Sequence, residues 1–158
     1  MAIRSAARGL VIRDEKVLLS KSVSKAGKIS YTIPGGGQNQ YEPLVEAVVR
    51  EVREESGYEV WVGRLVAVCE GIFLSPRIRE KYPDYAHRVH HIFLCTLKSD
   101  VCGVATEPDI NQEGCVWMPL AEADALDDLH PHAIRGKITR LAKAESCEFF
   151  GCTLVSDW

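Results

Sequence analysis

The chain has 158 residues, of which 46% are hydrophobic and 26% charged, and its net charge is −3. This length and mix are expected of one globular domain, residues 1–158, with a sizeable core. The acidic balance argues against nucleic acid as a partner, because domains that bind it electrostatically carry a basic stripe. No secretory signal pattern opens the chain, and no apolar run approaches the roughly 20 residues that span a bilayer. We therefore expect a soluble, cytoplasmic protein without a membrane partner.

The first part of the chain predicts a β-hairpin, a glycine-rich loop and an amphipathic helix. "RSAARGLVIR" (4–13) and "KVLLSKSV" (16–23) are β-like runs separated by two polar residues, a hairpin pattern. "YTIP" (31–34) is a short strand that leads into three glycines. A helix is predicted over 42–56, because its apolar residues recur at steps of three and four. Gly57 is suited to end that helix.

The second part predicts further strands with shorter helices. Strands are expected over 58–74, with a break near Gly63, and over 88–98 and 113–120. Residues 75–87 contain two prolines and predict a loop. Residues 120–129 predict a short helix or turn, 131–145 a helix opened by Pro131, and 147–158 a closing strand or tail. Strands and helices without regular βαβ alternation favour a mixed α/β sandwich.

The predicted helix carries a dense acidic stripe. Glu51, Glu54 and Glu55 are i, i+3 and i+4 neighbours, so they share one face and repel one another. A solvated charged face is the simpler interpretation, with Arg50 spaced to pair with Glu54. The preceding glycines favour a second interpretation, a metal site. Main-chain and carboxylate oxygens together can bind Mg²⁺, which also binds substrate phosphates. The pattern therefore predicts a divalent-metal site for phosphate chemistry.

The same stretch resembles the signature of the Nudix hydrolases. Gly36, five residues, Glu42, seven residues and "REVREESGY" follow the family pattern G-x5-E-x7-R-E-U-x-E-E-x-G-U, where U is a bulky aliphatic residue. The departure is Tyr58 at the last U, a bulky residue that we expect to pack. The resemblance implies an α/β fold, a Nudix-type α/β/α sandwich with a mixed central sheet. It also implies hydrolysis of a nucleoside diphosphate linked to another group, X.

The resemblance further implies roles for individual residues. Glu51, Glu54 and Glu55 would bind Mg²⁺ or Mn²⁺, with the Gly35 carbonyl as a further ligand, and Arg50 would hold the glutamates in position. Gly36, Glu42 and Gly57 would have structural roles in the motif.

The general base varies in this family and often lies outside the signature. Glu113 is the first candidate and Glu70 a weaker one. An exposed residue at the entry to a strand is the simpler interpretation of Glu113.

Residues 77–91 are expected to contact a small-molecule nucleotide substrate. Aromatic rings there can stack on a base, and arginines can bind phosphates. The candidates are Arg77, Arg79, Tyr85 and Arg88. A solvated loop is the alternative interpretation. A homodimer is compatible with the family but has no sequence signal here.

Two other functions are compatible with this fold. One is a nucleotide-binding sensor that does not cleave its ligand. The other is an isoprenoid-diphosphate isomerase, which would need a reactive cysteine in the pocket, and Cys69 and Cys95 are predicted to be buried in strands. His130 and His132 have no cysteine partner at zinc-finger spacing, so the sequence predicts no zinc finger there.

Overall fold

The computed structural model describes residues 3–107 and 111–156 of the chain. Within these ranges the strands are β1 Arg4–Arg13, β2 Lys16–Val23, β3 Ile29–Thr32, β4 Gly35–Gly37, β5 Val60–Phe73, β6 His87–Leu97, β7 Gln112–Pro119, β8 Leu129–His130 and β9 Glu148–Val155. The helices in the same ranges are α1 Leu44–Ser56, α2 Pro76–Lys81, α3 Leu120–Asp124 and α4 Ile138–Ala142, with a 3₁₀ turn at His132–Ile134. No helix in the described ranges is long and apolar enough to cross a bilayer.

The strands form a mixed sheet in the order β8-β3-β2-β1-β6-β5-β9, with β4 paired to β1 and β7 paired to β2. The β1–β6, β3–β8 and β5–β9 pairs are parallel. The β1–β2 and β5–β6 pairs are antiparallel. The mixed sheet predicted from the sequence is confirmed.

Helices cover both faces of this sheet. On one face, Val48 and Val52 of α1 pack against Val11 of β1 and Phe93 of β6. Gly9 allows this close approach, because a Cβ there would lie 2.8 Å from a methyl group of Val52. On the other face, α3, α4 and the 3₁₀ turn contribute buried side chains to a second cluster around Leu10 and Ile92. The α/β/α layering is therefore as predicted.

The hairpin and the long helix form where their patterns predict them. The hairpin turns at Asp14 and Glu15, which both have positive φ. Helix α1 ends at Gly57, whose φ of 76° lies in the left-handed region and whose N–H donates to the Arg53 carbonyl. Glycine adopts this conformation without the steric cost that other residues meet.

Three predicted elements are wrong in detail. Residues 76–81 are helical rather than part of a loop, because Pro76 occupies the first turn, where a fixed φ is favourable. Strand β5 continues through Gly63, and the predicted break is a set of register shifts between Val62 and Ala67, as in a β-bulge. The helix predicted over 131–145 is interrupted between the 3₁₀ turn and α4, where Gly136 has a φ of 67°. The last two residues of the predicted 147–158 segment lie outside the described residues.

Candidate active site

The three glycines of β4 lie between strand β1 and helix α1. Gly35 and Gly36 pair with Arg8 and Ala7 of β1. Gly35 has a φ of 142°, and a Cβ there would lie 2.3 Å from the Ala7 carbonyl oxygen. A Cβ on Gly36 would lie 2.5 Å from Oε2 of Glu51. The absence of a side chain at Gly36 therefore leaves room for the Glu51 carboxylate against the main chain.

Arg50 joins three carboxylates beside this loop. Its Nε and Nη2 donate to the two carboxylate oxygens of Glu42 at 2.7 and 2.9 Å. Its Nη1 donates to Glu51 at 2.7 Å and to Glu54 at 3.1 Å, and Nη2 also donates to the Gly37 carbonyl at 3.0 Å. A fixed fork of donors suits such multiple contacts. Arg50 thus holds the start and the end of the signature together.

Glu55 has a different set of partners. Its side chain is buried, and its carboxylate accepts a hydrogen bond from the Ser20 hydroxyl at 2.8 Å. It also accepts one from the Gly35 amide at 3.3 Å. The Glu55 carboxylate therefore faces β2 and the glycine loop, whereas Glu51 and Glu54 meet at Arg50.

The local electrostatics distinguish the carboxylates. Burial raises the pKa of Glu51 above its ordinary value, and the hydrogen bond and charge of Arg50 act in the opposite direction. The Arg50 hydrogen bonds lower the pKa of Glu42. A buried carboxylate with a raised pKa is stabilised by further positive charge. The carboxylate and main-chain carbonyl oxygens around the loop therefore fit a hard divalent cation.

A cleft of about 570 Å³ is lined by residues of several strands, and the glycines of β4 and the glutamates of α1 are not among the residues that line it. Basic and aromatic side chains that line it include Arg8, Tyr82, Tyr85, Arg88, His90 and His130. Arg8 connects the cleft to the loop, because its Nη1 donates to the Ile33 and Gly35 carbonyls at 2.9 Å each. Its Nε donates to Nδ1 of His90 at 3.1 Å. Burial lowers the pKa of His90 to about 2, so the ring is neutral and can accept this bond.

The structure brings two of the four predicted substrate residues to this cleft. Tyr85 and Arg88 line it, and the Arg4 guanidinium lies 4.3 Å from the centre of the Tyr85 ring. Arg77 and Arg79 are exposed on α2 and do not line the cleft. Arg79 instead donates from Nε to the Phe73 carbonyl at 2.5 Å.

Arg8 lines the cleft and Arg4 contacts Tyr85, and the sequence reasoning singled out neither arginine. Both lie in β1, and Arg8 is only 7% exposed. A charged residue inside the apolar run "AARGLVI" was the available signal, since buried arginine is rare unless it is paired.

The two candidates for the general base occupy different surroundings. Glu113 has 53% of its side chain exposed and forms an ion pair with Lys21 at 3.1 Å. Glu70 lies at the cleft and has an oxygen 3.7 Å from Nε2 of His87. Glu113 thus has the features of an exposed strand-entry residue.

Comparisons with known proteins agree with this architecture. The family model described as the NUDIX domain matches residues 3–140. An ADP-ribose pyrophosphatase from Methanocaldococcus jannaschii is 37% identical over 69 residues, which span 44% of this chain and 41% of that relative. The match therefore covers less than half of the length of the relative.

Solved structures share the fold at low sequence identity. A MutT NUDIX hydrolase from Burkholderia pseudomallei is 26% identical with a TM-score of 0.61, over 88% of this chain and 98% of that one. A NUDIX hydrolase from Nitrosomonas europaea is 16% identical with a TM-score of 0.67, over 89% and 88% of the two chains. Since the family model spans most of the sequence, the chain belongs to the NUDIX domain family.

Proposed function

We propose that the protein is a Mg²⁺-dependent hydrolase of a pyrophosphate bond in a nucleoside diphosphate linked to X. The NUDIX domain and the ADP-ribose pyrophosphatase relative support a pyrophosphohydrolase. The observation that carries the proposal is the network in which Arg50 holds Glu42, Glu51 and Glu54 against the glycine loop. A merely solvated acidic face would not require a glycine where Gly36 meets Glu51.

The metal ligands in this proposal are Glu51, Glu54 and Glu55, with the Gly35 carbonyl as a further oxygen. Mg²⁺ is the expected ion and Mn²⁺ an alternative, because both accept oxygen ligands. When bound, such an ion polarises phosphoryl oxygens and lowers the pKa of a coordinated water. The side chains of the protein itself hold these carboxylates in place. Arg50 donates a hydrogen bond to Glu51, and the Ser20 hydroxyl donates one to Glu55.

The substrate would occupy the cleft. Arg8 and Arg88 place positive charge along its wall, which suits the phosphates of a nucleotide. Tyr85 can stack on a base or sugar ring. Arg8 also contacts the Gly35 carbonyl, so the same side chain that lines the cleft fixes one predicted metal ligand. In the proposed complex, a substrate in the cleft would extend past Arg8 toward the glycine loop to reach the carboxylates.

The assignment of a base makes a separate prediction. Glu113 is exposed and paired with Lys21, so we expect Glu113→Gln to slow turnover less than Glu54→Gln does. The comparison is made at saturating Mg²⁺, where differences in metal affinity do not contribute. The reverse order would make Glu113 the main base.

The two cysteines considered for the isomerase alternative, Cys69 and Cys95, are both buried. Burial raises the pKa of the Cys69 thiol to about 11 and that of Cys95 to about 12. Both thiols therefore stay protonated at neutral pH, whereas reactive cysteines are thiolates. This favours hydrolysis over isomerisation on the same fold.

Substrate turnover tests the proposal and distinguishes an enzyme from a sensor. ADP-ribose, nucleotide sugars, dinucleoside polyphosphates and nucleoside triphosphates are incubated with the protein in Mg²⁺, in Mn²⁺ and in a chelator. We expect metal-dependent release of a nucleoside monophosphate, or of pyrophosphate from a triphosphate. A compound that raises the melting temperature but is never cleaved would instead indicate a non-catalytic nucleotide sensor.

A further inference from the structure

A second group of side chains that could bind a metal contains none of the glutamates of α1. Asp128, His130 and His132 each place one ligating atom within 4.8 Å of those of the other two. His130 belongs to β8, which pairs with β3 at the far end of the sheet. Asp128 lies just before β8, and His130 and His132 flank Pro131. A single short segment therefore supplies all three residues.

The geometry of the two imidazoles favours a shared ligand. Their ring centres are 4.3 Å apart with planes tilted by 40°, and both rings line the cleft. Nε2 of His132 is buried and has no hydrogen-bond partner among residues 3–107 and 111–156. A buried polar atom without a partner is unfavourable, and a bound ion or water would satisfy it.

Two cations already contact Asp128. Lys28 lies 2.8 Å from Oδ2, and Arg135 lies 3.3 Å from Oδ1. Oδ1 is also 3.0 Å from Nε2 of His130. The Lys28 side chain is 64% exposed, so it can move into solvent and free Oδ2. Arg135 also donates from Nε to the Leu129 carbonyl at 3.0 Å, so it retains a hydrogen-bond partner if a metal ion takes Oδ1.

From these contacts we propose that Asp128, His130 and His132 form a binding site for a transition-metal ion of the Zn²⁺ type at the cleft. Imidazole suits Zn²⁺, Co²⁺ and Ni²⁺, whereas Mg²⁺ prefers oxygen ligands. The site is therefore chemically distinct from the glutamate site on α1. Two nitrogens and one carboxylate oxygen leave a coordination position for water or for a phosphate in the cleft. The proposal does not depend on catalysis by the glutamates.

Metal titration of the tag-free chain tests this site. The protein is stripped with a chelator and held in excess Mg²⁺, which occupies oxygen-only sites, and Zn²⁺ binding is measured by calorimetry. We expect one Zn²⁺ per chain. His132→Ala should weaken binding by at least about tenfold, the lower end of the effect of changes around a metal site. His87→Ala is the matched control, because His87 also lies near a carboxylate, that of Glu70, and should leave binding unchanged.

Co²⁺ absorption gives a second readout that does not require a variant. Visible ligand-field bands without thiolate charge-transfer bands are expected for nitrogen and oxygen ligands. Thiolate bands would assign the metal to the exposed cysteines 102, 147 or 152 and would overturn the proposal. Equal Zn²⁺ binding by His132→Ala and the unchanged chain, or no binding at all, would overturn it too.

Discussion

Gly36→Ala should lower the activity of the protein much more than its stability. The new Cβ would lie 2.5 Å from Oε2 of Glu51, and the carboxylate would have to retreat by about 0.9 Å to reach the 3.4 Å of ordinary contact. That retreat also strains the 2.7 Å contact between Glu51 and Arg50. A misplacement of about 1 Å in an active site can cost about 100-fold in rate, or about 2.7 kcal/mol. We expect a loss of this size in kcat/KM.

The fold should tolerate the same change, because the displaced atoms are the end of a flexible side chain. Moving Glu51 off its preferred rotamer costs about 0.5–1.5 kcal/mol, a shift of a few degrees in Tm for a domain of this size. Gly35→Ala is the contrasting variant, since its Cβ meets backbone at 2.3 Å and its φ is 142°. It should lose stability as well. Steady-state kinetics in Mg²⁺ and thermal unfolding measure both effects. Full activity in Gly36→Ala would refute the placement of Glu51 at the reacting centre.

Other variants test the rest of the site. Arg50→Lys keeps the charge but not the fork, so denaturant unfolding should show a loss of about 1.5–3 kcal/mol, and an unchanged stability would contradict the network. The pKa of Glu42 is lowered from its ordinary 4.5, so its stabilisation is present above that value and is lost as the pH falls through the folded-state pKa. Glu42→Gln should therefore remove part of the acid dependence of unfolding as the pH falls below about 4.5. Arg88→Ala should raise KM about ten- to a hundredfold, while Arg77→Ala, on the exposed side of α2, should leave KM unchanged.

Local sequence patterns predicted the elements whose causes are local. The apolar spacing of α1, its terminal glycine and the two strands of the first hairpin depend on neighbours within a few residues. Tyr58, which departs from the family pattern, packs edge-to-face on Trp117 with ring centres 5.6 Å apart, and its hydroxyl accepts a bond from the indole N–H. A bulky residue at that position was expected to pack.

The missed features depend on distant parts of the chain. Arg8 and His90 are separated by 82 positions and meet only because β1 and β6 pair in parallel. Ser20 reaches Glu55 across 35 positions, which no spacing within the helix predicts. The cluster of Asp128, His130 and His132 escaped a search for cysteine and histidine spacing, because its third member is a carboxylate.

Comparing two glutamate-to-glutamine substitutions on α1 tests the central claim most directly. Glu54 contacts Arg50 at the proposed metal site, whereas Glu46 is exposed in the first turn of α1. With the substrate identified from the nucleotide panel and saturating Mg²⁺, kcat is measured for Glu54→Gln and Glu46→Gln. We predict that Glu54→Gln loses most turnover, because metal ions contribute several kcal/mol of transition-state stabilisation, and that Glu46→Gln keeps it. Near-normal turnover in a folded Glu54→Gln would contradict a catalytic metal site on this helix.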